Sequence, residues 1–263
     1  MLIRLLCIFF LLPMTLGSEE ASLERIYIAR EIITLDEAHP EATAVLVRSG
    51  RIAGIGAVEQ LQRNFPDAEL DRRFAEDVMV PGFIEHHVHP SLAAITMNAD
   101  VIAIEDWMLP GKMTLGVRDR RGYIDRLRTA EQNQPNANTP LITWGFHHYF
   151  HGNLTRQDLD AISSSRPILV IHRSFHEFIM NTPGLAYFGI TSEFVEGLDK
   201  EARQYASFDN GHFSEQGAVS ILPNVMQHLA APNPLIAGLK KTEKYLHQNG
   251  VTLIANPGAM LLK

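Results

Sequence analysis

Residues 77–84, Asp-Val-Met-Val-Pro-Gly-Phe-Ile, form an apolar run that leads without a break into Glu85-His86-His87-Val88-His89. A run of this kind reads as a fully buried strand of a parallel sheet. Alternate side chains of a strand share a face. His87 and His89 are therefore expected to point the same way, while His86 points to the other side and does not ligate. Two imidazoles at the C-terminal end of a parallel strand stand where α/β barrels hold their active sites. Imidazole suits zinc and related divalent ions. A metal held by histidines and a carboxylate, with one position open, polarises a carbonyl and activates water near neutral pH. Taken alone, the pair fits two structural histidines just as well.

What surrounds the run sets the architecture. Residues 24–35 and 42–49 are rich in β-branched residues, and Ser49-Gly50 is a turn leading to residues 51–56, so a hairpin is expected there. A short helix is expected over 57–64. Residues 18–76 thus read as a small all-β domain. From 77 to 263 strands and helices alternate. Residues 141–144, 167–172 and 251–255 are buried strands, and 122–131 is a helix. Thr155 to Asp158 has capping-box spacing, Asn233-Pro234 opens a helix, and Asn249-Gly250 closes it. Such alternation implies a parallel α/β sheet or barrel.

Composition removes several classes of function. The formal charge of -7 over 263 residues disfavours a nucleic-acid partner. Residues 1–17, a short basic start, an apolar stretch and small residues, read as a signal peptide, so the protein is expected to be exported, periplasmic or secreted. No later segment is long and apolar enough to span a membrane. Cys7 is the only cysteine and lies inside that leader, which leaves the mature chain without disulfides, thiol nucleophiles or thiolate ligands.

The segment Pro81-Gly82-Phe83-Ile84-Glu85-His86-His87-Val88-His89, following a β-rich domain, resembles the first barrel strand of the amidohydrolase superfamily. Four further stretches resemble amidohydrolase family 3, the YtcJ-like branch that includes N-substituted formamide deformylases. They are Thr155 to Asp160, then Arg166-Pro167 through His172, Phe175, His176 and Asn181, and then Gly211-His212-Phe213-Ser214-Glu215 with Gly250-Val251-Thr252. Phe175 stands where that family usually has glycine.

The resemblance implies a (β/α)8 TIM-type barrel preceded by a small β-sandwich-like domain. It implies a divalent metal, with zinc as the expected ion, on His87 and His89. It also implies catalytic roles for His176 and Glu215, which otherwise read as a packing histidine and a solvated loop carboxylate. Trp144, His147, His148 and His151 form a histidine-rich loop that either borders the substrate or holds a second metal. His172 reads as a satisfied core histidine, and Gly238 to Lys241 as ordinary helix surface.

A complete barrel of this type needs about 250 residues, and only about four of its eight strands are readable here. The chain is therefore expected to represent the N-terminal half of such a hydrolase, with open edges that favour aggregation or pairing with a second copy. The expected activity is hydrolysis of non-peptide carbon–nitrogen bonds in a small amide or formamide. The alternatives are a non-catalytic remnant, and a hydrolase of esters or phosphotriesters.

Overall fold

The computed structural model describes residues 24–38, 40–136 and 138–257. The leader expected over residues 1–17 lies outside them. The chain divides between Pro81 and Gly82 into two compact units.

The first unit contains β1 (Arg25–Ile33), β2 (Glu41–Arg48), β3 (Arg51–Gly56), α1 (Val58–Asn64) and β4 (Glu69–Met79). Its strands form one sheet in the order β3-β2-β1-β4, with β1 antiparallel to β2 and parallel to β4. The β2–β3 hairpin turns on Ser49 and Gly50, both left-handed at φ 50° and 71°, as a two-residue turn between twisted strands requires. Ile26, Ile28, Ala44 and Leu46 cluster with Leu61 of α1. Where an incomplete, β-sandwich-like composite domain is expected, the described residues give a single four-stranded sheet with a helix on one face.

The second unit begins with β5 (Phe83–Glu85), α2 (Pro90–Asn98), β6 (Asp100–Val101), β7 (Trp107–Leu109), β8 (Lys112–Thr114) and α3 (Arg120–Gln132). It continues with β9 (Leu141–Phe146), α4 (His148–His151), α5 (Arg156–Asp160), β10 (Ile168–His172), β11 (Glu177–Met180), α6 (Thr182–Tyr187), α7 (Ser192–Glu196) and α8 (Lys200–Arg203). It ends with β12 (Ala206–Ser207), β13 (His212–Ser214), α9 (Glu215–Leu229), α10 (Pro232–Gln248) and β14 (Val251–Ile254). Six strands form a mixed sheet ordered β12-β13-β11-β10-β9-β6. In it β6, β9 and β10 run parallel, while β11, β13 and β12 are antiparallel to their neighbours. Separately, β5 and β14 form a parallel pair, and β7 and β8 a hairpin.

This topology corrects the expected run of successive barrel strands. The strand at 141–144 and the strand at 167–172 belong to the mixed sheet, and only the strand at 251–255 joins the one that carries the histidine pair. No closed barrel forms among the described residues. The cause is local. Residues 173–176 connect β10 to β11 as a tight turn, far too short for the helical crossover that a parallel neighbour needs.

The apolar run at 77–84 is likewise not one buried strand. β4 ends at Met79, and Phe83 and Ile84 of β5 are 56% and 52% exposed. β5 is three residues long and has β14 as its one paired neighbour among the described residues. Gly82 is needed beside it, because a Cβ there would lie 2.3 Å from Thr252 Oγ1.

The two faces of the mixed sheet are distinct. Leu169, Ile171, Phe178, Met180 and Phe213 pack with Ile95 of α2 and Ile221 and Val225 of α9. Leu141, Phe146, Ile168, Val170 and Ile179 pack with Tyr123 and Leu127 of α3 and Leu159 of α5. The side-chain period of two sends neighbouring positions of one strand into different cores. Caps fix the helices on these faces. The expected Thr155/Asp158 capping box is formed in full, and Asp119 accepts the Gly122 N–H at the start of α3. α10 begins earlier than expected, with Pro232 in its first turn and no side-chain cap. It ends at Asn249 and a left-handed Gly250, as its sequence indicates.

Candidate active site

Beyond β5 the chain turns into α2, and His89 occupies the residue before its first turn. The Nε2 atoms of His87 and His89 lie 3.4 Å apart, with their rings edge to face. Two nitrogens bound to one zinc at about 2.0–2.1 Å in tetrahedral geometry stand about 3.4 Å apart, so the separation of the pair matches that of two ligands to a shared ion. The carboxylate of Glu85 accepts the His87 backbone N–H at 3.0 Å. His89 Nδ1 lies 3.3 Å from Asn256 Oδ1, two residues past the end of β14. With its proton on Nδ1 donated to that amide oxygen, His89 keeps the Nε2 lone pair for a metal. Asn256 was not expected at this site: it is 167 residues from His89 in sequence, and only the β5–β14 pairing brings it there.

His89 and His176 line one cavity of about 310 Å3, together with Leu92, Ile171, Phe175 and Leu222. His176 Nδ1 is 3.2 Å from Glu215 Oε2, and the Glu215 N–H donates to the His176 carbonyl at 2.9 Å. Both side chains are more than half exposed, so the contact adds little to stability and its interest is chemical. Each rests beside an unusual backbone. Phe175 has φ 62° and Glu215 φ 42°, a region that costs a non-glycine residue about 1–2 kcal/mol. The turn that glycine favours is thus kept at Phe175 although the side chain is aromatic.

The structure also assembles a group that the sequence reading left scattered. On the Phe146 and Val170 face of the sheet, His147, His148 and His172 each offer a ring nitrogen within 4.8 Å of the other two. The His148 and His172 rings stack at 5.7 Å and 24°. Glu177 accepts from His212 Nε2–H at 2.7 Å and lies 3.9 Å from His148 Nδ1. His172 is not the satisfied core histidine that was expected. Its Nδ1 is 2.7 Å from Ser174 Oγ, but its Nε2 is buried without a partner. His151 turns away from the group. Its Nδ1 accepts the His147 N–H, its Nε2–H donates to the Val117 carbonyl, and its ring stacks on Tyr123. Burial is the main cause that lowers the pKa of His147, His151 and His172, and it favours their neutral forms. Burial alone would raise Glu177, but the hydrogen bond and charge of His212 outweigh it, and its pKa is lowered. Glu177 and His212 meet only through the β11–β13 register, which is why nothing local in the sequence signals them.

No protein-family model matches the chain. It is 25% identical over 259 residues to the exoenzymes regulatory protein AepA of Pectobacterium carotovorum subsp. carotovorum, covering 94% of this chain and 53% of that protein. It is 31% identical over 172 residues to the N-substituted formamide deformylase of Arthrobacter pascens, covering 62% of this chain and 29% of that enzyme. The chain therefore spans about half or less of the curated relatives it matches. Its fold is similar to the crystal structure of an uncharacterised metal-dependent hydrolase from Pyrococcus horikoshii OT3. The TM-score is 0.62 at 15% identity, over 89% of this chain and 42% of that one. The chain thus shares the fold of part of a metal-dependent hydrolase.

Proposed function

We propose that the chain contributes the first metal ligands and part of the substrate cavity to an amidohydrolase, of the YtcJ-like branch, that cleaves a non-peptide carbon–nitrogen bond in a small amide or formamide. The observation that carries this is the 3.4 Å Nε2–Nε2 separation of His87 and His89 at the end of a parallel strand pair. On this reading β5 and β14 are neighbouring strands of the enzyme's (β/α)8 barrel. Similarity to an N-substituted formamide deformylase supports this choice of substrate class. A divalent ion bound there, zinc being the best suited to imidazole, supplies Lewis acidity near neutral pH.

The chain's own residues do the rest. His87 and His89 hold the ion, with Asn256 fixing the His89 tautomer. Glu215 accepts the His176 Nδ1–H, which leaves His176 Nε2 as the atom that orients the carbonyl or moves a proton at it. Phe175, Leu92 and Leu222 keep that cavity apolar. The residue 1–17 leader directs the protein out of the cytoplasm, and N-terminal sequencing of the mature protein tests this.

The function is tested on the native protein by metal content and turnover. N-substituted formamides should be hydrolysed, and His87→Ala or His89→Ala should abolish both zinc at this site and turnover. Turnover of phosphotriesters with none of amides would reject the carbon–nitrogen assignment. Full metal content in both variants would reject the site.

A further inference from the structure

The mixed sheet separates the cavity around His176 from a second group of histidines. Along β10, Leu169 and Ile171 face one core, whereas Ile168 and Val170 face the other. His172 follows the second set, with its ring edge-on to Phe146 at 6.1 Å. In β11, Glu177 shares its face with Ile179, which lies opposite His212 in β13. His176 and Glu215 fall on the opposite parity. The histidines 147, 148 and 172, with Glu177 and His212 beside them, are therefore a separate assembly on the far face of the same sheet.

We propose that this assembly is a second metal site, in which ring nitrogens of His147, His148 and His172 bind one divalent transition ion of the zinc class. Two observations point to a ligand. The three ring nitrogens already lie within 4.8 Å of one another, so closure onto the roughly 3.4 Å edge of a tetrahedral site needs shifts of about an ångström. His172 Nε2 is buried and has no partner, and an unpaired buried nitrogen is costly unless something binds it. His172 Nδ1 accepts the Ser174 N–H at 3.2 Å and lies 2.7 Å from Ser174 Oγ; ligation through Nε2 exchanges the first contact for Nδ1–H donating to that hydroxyl. Glu177 adds a carboxylate next to His148, which supplies negative charge to offset the ion and a hydrogen-bond acceptor for a ligand ring. The His147 Nδ1 contact with the Tyr149 N–H, at 3.3 Å, is long and is the hydrogen bond that ligation exchanges.

Neutral imidazoles without a thiolate select zinc, copper or nickel over calcium or magnesium. His147 and His148 sit at the start of α4, and His172 at the end of β10. The ion therefore ties the histidine-rich loop to the sheet and has a structural role, independent of the His87/His89 site.

The test uses the whole chain with His87→Ala and His89→Ala combined, which removes the first pair of ligands. Equilibrated with zinc and dialysed, this variant should retain one zinc per chain by elemental analysis. It should also give a cobalt(II) visible spectrum, and its melting temperature should rise on adding zinc. Adding His148→Ala, at a side chain that is 59% exposed and does not endanger folding, should remove the bound zinc, the spectrum and the zinc-dependent rise together. His172→Ala should do the same. Absence of zinc from the double variant overturns the proposal, as does zinc whose content is unchanged by His148→Ala. If the wild type and the double variant hold equal zinc, the His87/His89 reading fails while this one stands.

Discussion

Asn181 enters the sequence reading only as part of a family-like stretch; the structure makes it a pin between strands, and its removal has a predictable cost. Its side chain is fully buried. Oδ1 accepts the Ile168 N–H and the Gly184 N–H, each at 2.8 Å, and Nδ2 donates to the carbonyls of Ser163 and Arg166, each at 2.8 Å. Every hydrogen bond the amide makes is to backbone, and three of the four lie in fully buried surroundings. Asn181→Ala leaves the Ile168 and Gly184 N–H groups and the Arg166 carbonyl without partners, whereas the Ser163 carbonyl is close enough to solvent to recover water. At about 1–3 kcal/mol for each buried group left unpaired, the loss should be at least about 3 kcal/mol.

The assay is urea unfolding followed by tryptophan fluorescence. Both tryptophans, Trp107 and Trp144, lie in the second unit, so the signal reports on the sheet that Asn181 holds. The midpoint should fall by roughly 1–2 M. Asn181→Asp keeps both acceptors but turns the two donors into a carboxylate that faces two carbonyls. Its pKa in the folded state is therefore raised above the unfolded value, so its destabilisation is largest at neutral pH and shrinks as pH falls through the folded value. A loss below about 1 kcal/mol for the alanine variant, or an aspartate variant insensitive to pH, would refute the pinning argument.

Other consequences can be checked by the same means. At Phe175 both Phe175→Ala and Phe175→Gly lose the ring, but only glycine relieves the φ of 62°. The glycine variant should be the more stable by about 1 kcal/mol, the reverse of the usual order, as read from urea midpoints. Gly82→Ala should push β5 from β14 and lower zinc affinity at His87 and His89. Thr252→Ala should partly restore it by removing the atoms that a Cβ would strike at 2.3 and 2.4 Å; isothermal titration with zinc reads both. For Asp158, burial alone would raise the pKa, but hydrogen bonds from Thr155 and Arg120 outweigh it and the folded value is lowered. Its stabilisation is present above the unfolded pKa and is lost as pH falls through the folded one. Unfolding free energies measured across that acid range should fall less steeply for Asp158→Asn than for the wild type.

What could be read from sequence divides along the range of the interactions. The hairpin at Ser49-Gly50, the Thr155/Asp158 capping box, and the helix end at Asn249-Gly250 depend on neighbours a few residues apart, and all three are formed. The His87/His89 pair is legible for the same reason, because the two rings belong to one short segment just past β5. The barrel count failed at one local turn and at one long-range pairing. β10 and the strand that follows it look alike in composition to crossover-linked strands, but a four-residue turn makes them antiparallel, and β14 crosses back to β5 over more than 160 residues.

The histidine group on the far face shows the same limit at the level of chemistry. The period-two rule alone places His172 on one face with Ile168 and Val170, so its direction was readable. Its company was not: Glu177 and His212 come from β11 and β13, and His147 and His148 from the loop after β9. A histidine at a buried strand end is a packing residue unless partners converge on it, and convergence is a property of sheet order. Here that order leaves one ring nitrogen of His172 buried with nothing to bind, and an unpaired buried nitrogen flanked by two more imidazoles is a stronger pointer to an ion than any spacing in the chain.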